Sequence, residues 1–64
     1  MLDIKKIKKL QREKKITNQQ LADDAGVTSA MMTYILQGKR RPNIDTVVFM
    51  SKTLGCTVDQ IVRG

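Results

Sequence analysis

The sequence predicts an all-α fold, five short helices packed in one small domain. Three observations carry this reading. Apolar residues recur at helical spacing along the whole chain, cap-forming residues stand before four of the five apolar runs, and a glycine follows three of them. At 64 residues there is room for a single core, and a domain of this size buries only about 60% of the surface its unfolded chain exposes.

Helix one is expected over roughly Asp3 to Lys14, where Ile4, Ile7 and Leu10 fall at steps of three and Lys5, Lys6, Lys8, Lys9 and Arg12 occupy the other faces. Thr17 with Gln20 three positions later reads as a capping box, each side chain satisfying a backbone N–H that a first turn leaves unpaired. Helix two then buries Leu21, Ala22 and Ala25 and stops at Gly26, the residue type best suited to a left-handed position. Thr28 caps helix three, which runs to about Gln37. Met32, Ile35 and Leu36 share one side of it, and Ser29, Ala30, Thr33, Tyr34 and Gln37 share the other. Gly38 closes this helix, and Lys39, Arg40, Arg41 and Pro42 form a basic loop. Asn43 caps helix four, with Ile44, Val47, Val48, Ser51 and Leu54 at helical spacing and Gly55 as its end. The run Val47-Val48-Phe49 alone also fits a buried strand, but the flanking caps and the spacing favour a helix. A last short helix begins at Thr57, again with Gln three positions on, and offers Val58, Ile61 and Val62 for packing.

Composition narrows the function. Twelve basic against six acidic residues leave a net charge of +6, which points to nucleic acid or an anionic membrane surface as partner. No stretch approaches the roughly 20 apolar residues of a membrane span, and the lysine-bearing start lacks the apolar segment of a signal peptide. Tyr34 and Phe49 are the only aromatics, too few for base-stacking platforms. There is no histidine, the usual neutral-pH acid-base group and zinc ligand. Neither a nucleophile-base pair nor a phosphate-cradling glycine loop is visible, so no enzyme, cofactor, metal or small-molecule ligand is expected. A lone Cys56 forms no internal disulfide and fits a reducing cytoplasm, with the thiol read as a small buried apolar group.

The informative stretch is Asn18 to Gln37. Two helices joined by a short glycine-containing turn make a helix-turn-helix unit. The methyl of Ala22, four residues before Gly26, lets the helices approach closely; Val27 and Met32 plug the angle between them. The outer face of helix three is then free to enter a major groove, which at about 12 Å admits an α-helix.

The segments Thr17-Asn18-Gln19-Gln20-Leu21-Ala22, Ala25-Gly26-Val27-Thr28, Gly38-Lys39-Arg40-Arg41-Pro42 and Leu54-Gly55-Cys56-Thr57-Val58-Asp59, in this order and spacing, resemble the phage lambda-type repressor and Cro helix-turn-helix domains. The resemblance implies one domain over residues 1–64 that binds double-stranded operator DNA, of bacterial or phage origin, as a homodimer on a pseudo-palindromic site, and regulates transcription. Carried over by position, it makes Thr28 to Gln37 the recognition helix, with base contacts from Ser29, Ala30, Thr33 and Tyr34. Phosphate contacts fall to Asn18, Thr28, Gln37, Lys39, Arg40 and Arg41. Relatives carry a buried Arg-Glu pair where this chain has Gln11 and Leu36, which are therefore expected to touch.

Charge is distributed unevenly. Residues 1–15 hold seven basic and two acidic groups, whereas the recognition helix holds none, so specificity would rest on hydroxyls, methyls and DNA shape. The helix-one lysines read as a solvated face rather than as DNA or lipid contacts, and Asp23 and Asp24 as solvent-facing residues at a helix end. Phe49 falls off the apolar stripe of helix four. Either it folds over the edge of the core, or it joins Val58, Ile61 and Val62 in an exposed patch that serves as a dimer interface. A second class of function remains open, a protein-interaction module such as an antitoxin or antirepressor component that uses helix three and Phe49.

Overall fold

The structure, a computed structural model, describes residues 2–62. The helices follow in the order α1 (Ile4–Lys14), α2 (Asn18–Ala25), α3 (Ser29–Leu36), α4 (Ile44–Leu54) and α5 (Val58–Ile61). Met1, Arg63 and Gly64, at the ends of the expected 1–64 domain, lie outside the described residues. No strand forms among the described residues. A single antiparallel bridge joins Leu2 to Val62, and the Asp3 N–H donates to the Ile61 carbonyl at 2.8 Å.

Each helix starts where a side chain can satisfy its first turn. Thr17, Thr28 and Asn43 accept from the N–H groups of Gln20, Met31 and Thr46 at 3.1, 3.1 and 2.8 Å. Asp3 does the same for Lys6 at 3.2 Å, so it caps α1 from outside rather than opening it. At α5 the Gln60 side chain accepts from the Thr57 N–H at 3.0 Å. The end of α1 has no glycine. Lys15 itself takes the left-handed conformation, with φ +57°, and the Ile16 N–H returns to the Gln11 carbonyl at 2.8 Å.

The buried faces meet in one core, in which α2 packs on α3 and α4, and α1 packs on α4 and α5. Ile7, Leu21, Met32, Met50, Leu54 and Ile61 are its largest fully buried side chains. Ala22 is fully buried between the larger groups, and Val27 packs on the cluster from the turn. Three residues expected inside are less covered than that: Val62 is exposed beyond the end of α5, Cys56 is half-buried, and Ile44 is the most exposed of them. Ile44 is 66% exposed at the first position of α4, whereas Val47 and Met50, further along the helix, are buried. Ser51 is buried with its hydroxyl donating to the Val48 carbonyl at 2.7 Å. The Lys14 ammonium donates to the Leu54 carbonyl, placing a cation at the end of α4 where the helix dipole is negative.

Candidate nucleic-acid interface

The turn between α2 and α3 occupies Gly26, Val27 and Thr28. Gly26 takes φ +73°, and the Val27 N–H closes on the Ala22 carbonyl at 3.0 Å, turning the chain within a single residue of left-handed backbone. Thr28 then starts α3 through its hydroxyl, which accepts from Met31; the hydroxyl proton is left to donate outward.

Helix α3 is divided along its length. Met32, Ile35 and Leu36 face the core, while Ser29, Ala30, Tyr34 and the capping Gln37 are exposed and Thr33 is half-buried. The six residues singled out in the sequence at Thr28, Ser29, Ala30, Thr33, Tyr34 and Gln37 thus belong to one helix and its two caps. Thr33 is less free than its sequence position implied. Its hydroxyl donates to the Ser29 carbonyl at 2.9 Å, so what it offers outward is an acceptor lone pair.

The basic loop is tied to the end of the same helix. The Gly38 N–H donates to the Ile35 carbonyl at 3.1 Å, and the Lys39 N–H to the Tyr34 carbonyl at 2.9 Å. Lys39, Arg40 and Arg41 are all exposed, which places three cations beside an outer face with no formal charge of its own.

Asn18, the first residue of α2, is also exposed, and its orientation is set by a residue not assigned a DNA-related role from the sequence. The Gln11 side chain, 9% exposed, donates its amide to Asn18 Oδ1 at 2.8 Å. With its oxygen engaged, Asn18 directs its own NH2 donor away from Gln11. Gln11 and Leu36 are both buried, but the polar end of Gln11 is taken up by Asn18. No periodic signal announces this bond, because it crosses the break between two helices.

The expected dimer patch needs a correction. Phe49 is 46% exposed and Val62 36%, but Ile61 is fully buried. It is the residue through which the single turn of α5 enters the core, and it has no surface to offer a partner. Val58 is half-buried and packed on that core. Phe49 carries the Lys52 ammonium over its ring at 5.7 Å. Asp23 and Asp24 are exposed as expected, accepting from Gln19 at 3.0 Å and from Thr53 at 3.1 Å respectively. Burial pushes the Cys56 thiol pKa up, against the opposing effect of Lys14 and Lys6. Among the described residues there is no cluster of metal-ligating side chains and no helix long and apolar enough to cross a membrane.

Comparison with known proteins agrees with this geometry. Residues 4–61 match the helix-turn-helix family model. An uncharacterized HTH-type transcriptional regulator of Bacillus subtilis (strain 168), YqaE, is 33% identical over 58 residues, which is 91% of this chain and 50% of that protein. The chain therefore spans about half the length of the curated relative it matches. No solved structure matches. With a capped helix pair hinged at Gly26 inside a match that runs through all five helices, the chain belongs to the lambda repressor/Cro-type helix-turn-helix family of DNA-binding transcriptional regulators.

Proposed function

We propose that this chain is a sequence-specific regulator of the repressor or Cro kind, acting in a bacterial cytoplasm, that lays α3 in the major groove of a pseudo-palindromic operator. The observation that carries the proposal is the division of α3: its apolar face is spent on the core, and its polar, uncharged face stands exposed beside three cations. A helix with its side chains is about 10–12 Å across, the width of the groove. Ser29, Thr33 and Tyr34 would then read base edges by hydrogen bonding, and the Ala30 methyl would meet a thymine methyl. Asn18, Thr28, Gln37, Lys39, Arg40 and Arg41 would hold the phosphates on either side, with the N-termini of α2 and α3 adding backbone donors. Two copies would read half-sites ~34 Å apart, meeting through apolar residues that include Phe49, Val58 and Val62.

Selection from random duplexes followed by binding across a salt series tests this reading. Arg40→Ala is expected to weaken binding to every sequence alike and to lower the salt slope by about one unit. Tyr34→Ala and Ser29→Ala are expected to change the preferred sequence instead. Absence of any effect from Arg40→Ala and Tyr34→Ala would remove the assigned interface.

A second reading, a protein-interaction module, draws on the exposure of Tyr34 and Phe49, at 49% and 46%, because aromatics anchor many interfaces. Under that reading nucleic acid leaves elution and thermal stability unchanged, and a protein partner shifts both.

A further inference from the structure

Apolar side chains that the core covers only in part, Leu2, Ile4, Ile44 and Val62, converge on one groove. Leu2, Ile4, Ile44, Val47 and Val62 line a depression of about 640 Å³, and the loop from Gly38 to Pro42 forms its other wall. Ile44 is the most exposed large apolar residue among those described. Its position does not require it, since the start of α4 is already capped by the bond from Thr46 to Asn43. Lys39, Arg40 and Arg41 belong to the same lining, so an apolar floor is bordered by three cations.

We infer that this groove docks an acidic amphipathic helix of a partner protein. Its apolar side chains at i, i+3, i+4 and i+7 would cover Ile4, Ile44 and Val62, and its carboxylates would face Lys39, Arg40 and Arg41. Two other occupants fit less well. A small molecule needs enclosure, with most of its surface buried, and this groove is open along one side. A second copy of the chain, itself at +6, would bring its own basic loop against this one, whereas an acidic helix complements the loop.

The docking has a regulatory consequence that rests on the DNA-binding proposal. Arg40 and Arg41 cannot serve phosphate and carboxylate at once. The partner helix and the operator therefore compete for them, each weakening the other's binding by the same factor.

The test uses the whole chain, isotope-labelled, titrated with a synthetic helix about 14 residues long that has leucines at i, i+3, i+4 and i+7 and glutamates elsewhere. A scrambled peptide of identical composition is the control. The expected result is saturable amide shifts concentrated at Leu2, Ile4, Gly38, Ile44 and Val62, with the scrambled peptide at least about tenfold weaker. Ile44→Ser is expected to weaken the helix about tenfold while the thermal midpoint stays in place, because the side chain it removes is largely solvated. Equal binding of the scrambled peptide, shifts centred on the α1 lysines, or no binding would overturn the proposal. So would concentration-dependent self-association abolished by Ile44→Ser, which would assign the groove to a second copy. A competition arm adds a selected duplex. If the chain binds no duplex the DNA reading fails by itself, while the peptide titration still decides the groove.

Discussion

Replacing Gln11 by methionine separates a residue that orients Asn18 from the residues proposed to touch DNA. Methionine keeps the length and flexibility of the side chain and removes only the amide that donates to Asn18 Oδ1 at 2.8 Å. Because Asn18 is exposed, its freed oxygen finds water and no buried polar group is orphaned. The loss is one net hydrogen bond, about 1 kcal/mol, offset in part by the apolar burial that methionine gains at a site 9% exposed. The midpoint of thermal unfolding should therefore move by no more than about 5 °C. Binding responds differently. An Asn18 side chain released among roughly three rotamers loses a factor of about three in productive orientation, on the order of 0.6 kcal/mol. Anisotropy titrations with labelled duplexes should show this threefold loss for all sequences alike. The salt slope should stay unchanged, since no charge has been altered. In an Asn18→Ala background, Gln11→Met should cost nothing further, the signature of a residue acting through its neighbour. A further loss in that background, or a change of sequence preference, would refute the reasoning.

Four other outcomes are expected. Lys15→Gly should stabilise the domain by about 0.5–1 kcal/mol in urea unfolding, because it relieves a left-handed residue at φ +57° that carries a side chain. Gly26→Ala should cost about 1 kcal/mol from backbone strain alone, as nothing lies within 4 Å of the added methyl; Ala22→Leu should cost about 1–3 kcal/mol by overpacking a fully buried site. The folded state holds the Cys56 proton more tightly than the unfolded chain does, so stability should fall as pH rises past the ordinary thiol value of 9.0. Alkylation rates against pH should accordingly reach half-maximum above that value.

Much of the architecture was legible in the sequence because its signals are local. Thr17, Thr28 and Asn43 cap where their spacing predicted, although at Thr17 only the hydroxyl half of the expected box with Gln20 forms, and the split between Met32, Ile35 and Leu36 and the outer face of α3 follows from helical period alone. What escaped depends on relations between elements. Ile44 and Ile61 have equal claim on the core by periodicity, yet one is exposed and the other buried, because the tilt of α4 and the placement of α5 decide which of them meets a neighbour. The left-handed Lys15 carries no compositional mark. The service of Gln11 to Asn18 crosses a helix break, and the groove at Ile44 gathers residues from both ends and the middle of the chain.

The clasp of Leu2 on Val62, backed by Asp3 on Ile61, fastens the segment before α1 to the segment after α5. A pair of fluorescent probes at Leu2 and Val62 would therefore part when the outer helices leave the core, giving a readout of unfolding remote from α3.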